Sequence, residues 1–554
     1  MRVALPDATL LEVAMANIVR EPCDEGVIRS GPPCAERSVS VGRWVLVATI
    51  LGSSMAFIDA SVTNLALPAL QRDLHATVGD AQWVIEAYSL FLAALILVGG
   101  SLGDRLGRRR VFVIGLVIFA VASAGSGLAV NVPMLLVWRG VQGIGGALLT
   151  PGSLAIISAT FSGAARGRAI GTWSGFSAVT GVIGPVLGGF LIQYASWRWI
   201  FFINIPLAAV VLYVSLRHVP ESVDEDARGK PIDWTGAVLG TAGLGLVVFA
   251  LIQSQSSGLL SPLVLATIGA GLIALIGFVL NERVAVLPMM PLALFKSPVF
   301  AGTNLLTLLL YGALAGAFFF LPLNLIEVQR YPTSLAGAAL LPAIAILSVL
   351  SRWTGGIVAR TGPRLPLTVG PAIASLGFVL FAMTGLGRPY WSSFLPASIV
   401  FGVGMAITVA PLTTAVMGAV PQSHAGVASG INNAVARTAG LLAIAVFGVI
   451  FVARFNADLD QRMAAQAVPA QARRLIVAER SELAAAVIPP NVTPAVRQAV
   501  RGSLDQAFVD SFQLTMFVAT GLALVGALLS WVVIPGPARR EPVKAVPEAA
   551  TASA

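Results

Sequence analysis

Asp59 and Arg139 are charged residues that lie inside long apolar stretches of the sequence. A charge is costly there, so its side chain usually faces a cavity or a partner and handles an ion or a substrate. Burial favours the protonated form of a carboxylic acid and a nearby cation favours the ionised form, which together can poise a proton carrier. We interpret Asp59 as that carrier. Arg139 is expected to pair with a nearby carboxylate or with backbone beside it, and to release when the proton binds. The alternative for Asp59 is that it caps a helix, and the alternative for Arg139 is that it forms a fixed structural ion pair.

Glu86 is another acid in an apolar stretch, and Trp83 and Tyr88 lie close to it in the sequence. A carboxylate beside aromatic rings can hold a lipophilic cation by charge and by cation–π attraction. We therefore expect Trp83, Glu86 and Tyr88 to bind substrate. Glu86 is predicted about one turn inside its helix, so a Glu that extends to the wet interface is the alternative.

A charged loop, GSLGDRLGRRR, follows the stretch that holds Glu86. Its glycines permit a tight turn, and Asp104 can pair with an Arg side chain. We expect the loop to brace one conformation and to gate motion without touching substrate, whereas plain anchoring by its cations is the alternative. The predicted gating residues are Gly100, Asp104, Arg105, Gly107, Arg108 and Arg109.

Small residues surround a proline at Gly184, Pro185, Gly188 and Gly189. Small residues let membrane helices approach closely, and proline removes a backbone hydrogen bond and bends a helix. This combination predicts a close-packed hinge, with ordinary small-residue packing as the alternative.

The composition shows what kind of protein carries these residues. Of the 554 residues, 11% are charged and 56% are apolar, whereas soluble domains carry about 25% charged residues. This excludes a soluble enzyme, a disordered chain and a fibrous protein. The net charge of +9 does not indicate nucleic-acid binding, because no basic groove interleaved with aromatic residues occurs. Cys23 and Cys34 match no zinc spacing and have no His nearby, so no metal site is expected.

Fourteen stretches meet the requirement of about 20 mostly apolar residues for a membrane-spanning helix. Segments of alternating hydrophobicity, typical of a membrane barrel, do not occur, so we predict an all-α membrane protein. The predicted spans are 44–67, 83–103, 111–130, 133–156, 169–193, 199–217, 233–253, 262–281, 299–326, 334–358, 366–386, 391–416, 429–453 and 512–534.

Lys and Arg concentrate in the tails and in the loops on the side of the N-terminus, which predicts that both termini are cytoplasmic. The tails are residues 1–43, without a signal-peptide pattern, and 535–554. The only Lys or Arg residues in the six short loops on the other side are Arg72, Arg198, Arg330 and Arg388. The long segment 454–511 falls on that side, and we expect it to form a small helical cap.

An internal repeat divides the spans into two halves. The pattern of Gly100, Arg105, Gly107 and Arg109 recurs at Gly355, Arg360, Gly362 and Arg364, except that Ala359 replaces the acid. Two glycine pairs recur at a nearly constant offset: Gly143 with Gly145 recurs as Gly402 with Gly404, and Gly167 with Gly171 as Gly426 with Gly430. The repeat predicts a six-helix bundle over 44–217 and another over 299–534, with two inserted helices over 233–281.

Several stretches together resemble a known family. They are IDASVTNLALP from Ile58, GSLGDRLGRRR from Gly100, RGVQG from Arg139, GPVLGG from Gly184, WRWIFFINIP from Trp197, and HAGVASGINNAVARTAG from His424. Over about residues 44–534 the chain resembles the major facilitator superfamily, and within it the fourteen-helix drug:proton antiporters of the QacA/EmrB type. The motif at Gly184 and Pro185 is associated with exporters.

The resemblance implies a proton-coupled efflux transporter for drugs or other small amphipathic compounds in a bacterial cell membrane. We expect protons, lipid bilayer and an amphipathic substrate, cationic if Glu86 holds it, as partners. We expect no cofactor, no nucleic acid and a monomer. No nucleophile–base pair is evident, so we expect no enzyme, and no GxxxxGK[ST] loop occurs for ATP. Predicted spans 10 to 13 hold no acid, which argues against dicationic substrates. A dedicated exporter of one metabolite or host-made antibiotic, or a non-transporting membrane sensor, are the alternatives.

Overall fold

The computed structural model describes residues 39–536 apart from 162, 224–232, 286–287, 355–357, 359–360, 421–424, 466–482 and 484–492. Thirteen helices of this part are long and apolar enough to cross a membrane, and a further helix has 32 residues. The prediction of an all-α protein with fourteen membrane helices is thereby confirmed. The helices are α1 Val39–Leu74, α2 Val78–Leu106, α3 Arg108–Gly127, α4 Val132–Thr160, α5 Gly163–Tyr194, α6 Trp199–His218, α7 Trp234–Ser257, α8 Pro262–Val284, α9 Pro298–Leu323, α10 Thr333–Ala338 with Leu341–Thr354, α11 Arg364–Ala382, α12 Phe394–Gly418, α13 Ala425–Ala465 and α14 Pro494–Val533.

Side-chain caps fix where helices begin. Thr77 and Asp80 form a capping box at the start of α2, and Asn131 accepts a hydrogen bond from an amide of the first turn of α4. Such caps satisfy amides that have no partner within the helix. Because of the capping box, α2 begins at Val78 and not near residue 83, so Glu86 lies deeper than the sequence predicts.

The two halves repeat the same close helix contacts. A side chain at Gly143 would overlap α2 and one at Gly145 would overlap α3, while one at Gly402 would overlap α10 and one at Gly404 would overlap α11. The loops correspond as well, since Gly107 and Gly362 have φ of +111° and +74°, a conformation that favours glycine. Ala359, Gly355 and Arg360 lie outside the described residues.

The inserted helices lie along one side of the contact between the halves. Helix α7 packs against α2 of the first bundle and α13 of the second, and α2 and α13 also pack against each other. We call this last contact the α2–α13 seam. Helix α8 packs on α7, and only 11% of its most apolar window is buried, so it mainly faces lipid.

The halves also meet between α5 and α10, at the membrane face away from the start of α1, which we call the far face. There Gln193 Oε1 accepts hydrogen bonds from Ser334 Oγ at 2.7 Å and from Ser334 N at 3.1 Å. A Cβ at Gly189 would lie 2.7 Å from the Thr333 carbonyl oxygen, so the helices are in close contact. Arg72 and Glu327 form an ion pair of 3.8 Å between the halves on the same face.

In the described parts of 454–511, where a small helical cap is expected, α13 and α14 extend beyond their predicted spans. These helices have 41 and 40 residues and pack against each other. Phe455 of α13 and Phe508 of α14 are fully buried, and Arg462 Nη2 donates a hydrogen bond of 2.6 Å to Asp510. An apolar stripe and ion pairs therefore continue each helix beyond its predicted span.

Candidate functional site

Asp59 and Arg139 form an ion pair in the core of the first bundle. Arg139 Nη1 lies 2.6 Å from Asp59 Oδ2, and each side chain is 1% exposed. Asp59 comes from α1 and Arg139 from α4, so the pair joins two helices that pack together. The carboxylate that Arg139 was expected to contact is thus Asp59, and each charge compensates the other away from water.

Gln142, for which no role is predicted from the sequence, completes this contact. It lies about one turn after Arg139, so both side chains reach the same side of α4. Its Nε2 donates to Asp59 Oδ1 at 2.9 Å, and its Oε1 accepts from Arg139 Nη1 at 2.8 Å. Arg139 Nε also donates to the Val84 carbonyl at 2.9 Å. Both Asp59 carboxylate oxygens therefore have a hydrogen-bond donor. The spacing of Arg139 and Gln142 along α4 is the sequence signal that could have revealed Gln142.

The network continues to α3 and α6 through Ser123. The Ser123 hydroxyl donates to the Phe201 carbonyl at 2.9 Å and accepts from Asn204 Nδ2 at 3.0 Å. Gln142 Nε2 lies 3.4 Å from the same hydroxyl. Five helices of the first bundle, α1 to α4 and α6, thus share one chain of buried polar groups.

Tyr88 contacts this polar network and does not form a site with Glu86. The Arg139 guanidinium carbon lies 4.5 Å from the centre of the Tyr88 ring, a cation–π contact. The Tyr88 side chain is buried, and its hydroxyl has no hydrogen-bond partner among the described residues. Positions 86 and 88 point in nearly opposite directions from a helix, so the expected cluster of Trp83, Glu86 and Tyr88 does not form a single site.

Glu86 faces the junction of α2, α7 and α13. It is 0% exposed, and neither carboxylate oxygen has a hydrogen-bond partner among the described residues. One turn earlier, Gln82 donates to the Ile444 carbonyl at 3.1 Å and accepts from Gln255 at 2.7 Å. Trp83 packs near Phe249 of α7, with ring centres 6.4 Å apart. The expectation that Glu86 lies near the wet end of its helix is wrong, because α2 begins earlier.

The charged loop between α2 and α3 is held by residues of its own half. Arg108 Nη2 lies 2.8 Å from Asp104 Oδ1, the pair that the sequence allows. Glu221, which follows α6, accepts from the Arg109 amide at 3.0 Å and lies 3.7 Å from the Arg109 guanidinium. Gly107 permits this approach, because a Cβ there would lie 2.7 Å from Glu221. Gly100 lies in α2 against Pro151, and Arg105 lies in the last turn of α2. Glu221 lies in no sequence motif that predicts its contact with Arg109.

The glycines around Pro185 pack against α1 and α10. A Cβ at Gly184 would lie 2.7 Å from Ser61 Oγ, and Gly188 lies directly against Val62. Gly337 of α10 lies against the Pro185 carbonyl. Helix α5 is continuous through Pro185, so this motif forms a close contact of three helices, and its action as a hinge stays a prediction.

A cavity of about 450 Å³ lies where the inserted helices meet both bundles. Ala93 of α2, Leu244 of α7 and Phe278 of α8 form part of its apolar wall. Asn304 of α9 and Thr438 of α13 are among its few polar contributors. Such a lining suits an amphipathic molecule. Among the described residues, no cluster of His, Cys, Asp or Glu has the arrangement of a metal site.

Comparison with known proteins identifies the family to which the chain belongs. The family model of the Major Facilitator Superfamily matches residues 49–444. The tetracenomycin C resistance and export protein of Streptomyces glaucescens is 32% identical, with 88% of this chain and 90% of that protein covered. Multidrug resistance protein Stp of Mycobacterium tuberculosis is 31% identical, with 88% and 91% covered.

A solved structure with a similar fold is a bacterial homolog of the human lysosomal transporter Spinster, in an inward-facing and unoccupied conformation. It has a TM-score of 0.60 and 17% identity, and the match covers 90% of this chain and 100% of that one. This likeness concerns the fold. From the family model and the relatives together, the chain belongs to the major facilitator superfamily, and its fourteen helices and drug-resistance relatives agree with the fourteen-helix drug:proton antiporters.

Proposed function

We propose that this protein is a proton-coupled efflux transporter that exports small amphipathic compounds across the cell membrane as a monomer. The far face is extracellular and both termini are cytoplasmic in this proposal. The observation that carries it is the buried contact of Asp59 with Arg139 and Gln142. An embedded carboxylate with a matched cation is the arrangement that a proton relay needs.

Proton binding would weaken the contact between α1 and α4. A neutral Asp59 loses its Coulomb attraction to Arg139, whereas Arg139 keeps its hydrogen bonds to Gln142 and to the Val84 carbonyl. In a low-dielectric interior this change is large compared with the same change in water. Protonation therefore alters one specific helix contact.

That change can reach the second half through α5. Ser61 and Val62, two and three residues after Asp59 in α1, lie directly against Gly184 and Gly188. On the same stretch of α5, Pro185 and Gly189 contact α10. A shift of α1 would thus be passed through a tightly packed helix to the contact between the halves at the far face, since close-packed contacts transmit displacement.

The substrate side of the proposal rests on the junction between the halves. The cavity beside α7 is apolar. Glu86 is a buried acid without a hydrogen-bond partner in the described part of the chain, and it lies on the same face of α2 as the cavity residue Ala93. An amphipathic cation would satisfy both features. The relatives include a multidrug resistance protein and a resistance and export protein for one named compound, so a substrate panel must decide the breadth.

The test is Asp59→Asn in reconstituted vesicles with an internal pH dye and a panel of dyes and antibiotics. The variant keeps the size of the side chain and is expected to lose substrate-driven proton movement while still inserting in the membrane. Asp73→Asn is the matched control, because Asp73 lies on the same helix and bonds Arg198 near the surface. Wild-type proton movement in Asp59→Asn would contradict the assignment. Export of one compound alone would indicate a dedicated exporter, and export of none a membrane sensor.

A further inference from the structure

Asn204 is a buried polar residue of the WRWIFFINIP stretch, and the proposed proton relay gives it no role. It lies in the second turn of α6 and is fully buried. Its Nδ2 donates to the Ser123 hydroxyl at 3.0 Å, whereas its Oδ1 has no partner among the described residues. An unpaired acceptor in an apolar interior costs free energy. Packing alone therefore does not account for an amide here, and the bond to Ser123 is the contact that does.

The Ser123 hydroxyl is fixed in direction by two contacts. It donates its hydrogen to the Phe201 carbonyl at 2.9 Å, and one of its lone pairs accepts from Asn204. A hydroxyl has one hydrogen and two lone pairs, so one lone pair remains. Gln142 Nε2 lies 3.4 Å from the Ser123 oxygen. Ser123 therefore presents an acceptor, and not a donor, to Gln142.

This acceptor selects one orientation of the Gln142 amide. One Nε2 hydrogen is donated to Asp59 Oδ1 at 2.9 Å, and the other points to Ser123. On the opposite side of the amide, Oε1 accepts from Arg139 Nη1 at 2.8 Å. If the amide turned over, its oxygen would face both the Asp59 carboxylate and the Ser123 lone pair, and the two contacts would be repulsive. The contact between Asn204 and Ser123 thus keeps a donor on Asp59.

Few charged groups compete with this effect at Asp59. Among the described residues, Arg139 of α4 pairs with it, and Tyr88 of α2 faces it across the Arg139 guanidinium. Glu86 leaves α2 on the opposite face, and α5 presents glycines to this part of α1. The charges of α3, α5, α6 and α10 lie near the ends of those helices away from the far face, and α9 has none. The next charge on α1, Asp73, is about 21 Å along the helix.

We propose that Asn204 and Ser123 are positioning residues that set the proton affinity of Asp59 by holding Gln142 as a donor to its carboxylate. The inference rests on the proposed transport function, in which Asp59 carries the proton. A hydrogen bond to the ionised form of an acid stabilises that form, so the pair makes Asp59 release its proton more easily. Neither residue touches the carboxylate, and both act through Gln142.

The experiment titrates Asp59 by infrared difference spectroscopy on purified protein in lipid nanodiscs. The carbonyl stretch of the protonated Asp59 carboxyl is identified as the band that Asp59→Asn removes. Ser126→Ala is the matched control, because Ser126 is a buried serine about one turn further along α3 whose hydroxyl donates to the Ala122 carbonyl of its own helix at 3.0 Å. The test variants are Ser123→Ala, Ser123→Thr, Asn204→Leu, Gln142→Leu, and Ser123→Ala combined with Gln142→Leu.

Ser123→Ala and Asn204→Leu are each expected to move the midpoint of the Asp59 titration upward by about 0.5–1 pH unit, because the carboxylate loses part of a charged hydrogen bond. This corresponds to proton binding that is tighter by roughly three- to tenfold. Ser123→Thr keeps the hydroxyl and is expected to titrate like the wild type, as is Ser126→Ala. In the Gln142→Leu background, Ser123→Ala should give no further shift, because residues that act through one partner are not additive.

An unchanged or lower midpoint in Ser123→Ala would overturn the positioning role. A full shift by Ser123→Ala in the Gln142→Leu background would also overturn it, because the effect would then come from a general loosening of the bundle. Asn204→Ala replaces Asn204→Leu if the larger side chain prevents folding. A wild-type protein without an Asp59 band contradicts the proposed relay and the positioning role together, whereas a band that titrates in the wild type and does not move in the variants overturns the positioning role alone.

Discussion

Asp59 and Glu86 are both buried acids, but their surroundings differ. Asp59 has a donor on each oxygen, whereas Glu86 has none among the described residues. An ionised Glu86 would be a buried charge without compensation, which costs several kcal/mol. Glu86 therefore needs either a proton or a cationic ligand, whereas Arg139 and Gln142 compensate the Asp59 carboxylate.

Glu86→Gln is expected to weaken export of lipophilic cations about tenfold or more and to spare uncharged compounds, because burial strengthens a charge contact. Dose–response curves for ethidium and N-phenyl-1-naphthylamine in vesicles give the comparison. Glu282→Gln is the control, since Glu282 is also buried but accepts a hydrogen bond from the Met290 amide at 2.8 Å. Equal losses for both compounds would show that Glu86 has no role in selecting cations. The same conclusion would follow if the variant were more stable than the wild type and transported both compounds equally well.

The sequence is sufficient to identify embedded charges but not to pair them. Asp59 and Arg139 stand out because charges are rare in apolar spans, yet their contact depends on the packing of α1 against α4. Helical spacing alone predicts that Gln142 lies on the same side of α4 as Arg139. The same helical spacing places Glu86 and Tyr88 on nearly opposite faces of α2. The expected cluster does not form, because residues that are close in sequence need not lie on one face of a helix.

At the scale of helices, the repeat predicts contacts well and helix ends poorly. Gly145 and Gly404 each permit the close approach of two neighbouring helices, as the repeat implies. The start of α2 depends on a capping box of Thr77 and Asp80, which hydropathy does not register. The extension of α13 depends on partners in α14 that are distant in sequence.

A disulfide across the α5–α10 contact should stop transport by holding the far face closed. The pair Gln193→Cys and Ser334→Cys suits this, because the native side chains are in hydrogen-bond contact at 2.7 Å. Cys23 and Cys34 are first replaced by Ser. Export in vesicles is expected to fall on oxidation and to return on reduction, whereas either single Cys variant stays active. Full export by the oxidised pair would mean that this contact does not open during the cycle.

At the scale of the whole molecule, the inserted helices connect the halves on one side. Helix α7 contacts both α2 and α13, and the cavity beside it is shared by both bundles and the inserted pair. The halves also touch on the far face through α5 and α10. Any opening of the far face must therefore separate α5 from α10 while the α7 side keeps or adjusts its contacts.

The orientation of the chain is testable at Gly502. This residue is exposed on α14 and has open space around it, so a Cys there introduces no clash. In a variant without Cys23 and Cys34, Gly502→Cys is expected to react with a membrane-impermeant maleimide in intact cells, because the positive-inside pattern places it outside. A Cys in place of Arg110, which is exposed in the first turn of α3, should react only after lysis. The reverse result would invert the proposed topology.

Helices α13 and α14 have a consequence for imaging. With 41 and 40 residues they extend about 60 Å, roughly twice the hydrocarbon thickness of a bilayer. Small transporters enclosed in a detergent belt are hard to align in electron micrographs, because nothing projects from the disc. Here a stiff helical pair, joined by Arg462 and Asp510, stands clear of it. An antibody fragment raised against this pair would give each particle a visible marker of its direction and would leave the seam between the halves unobstructed.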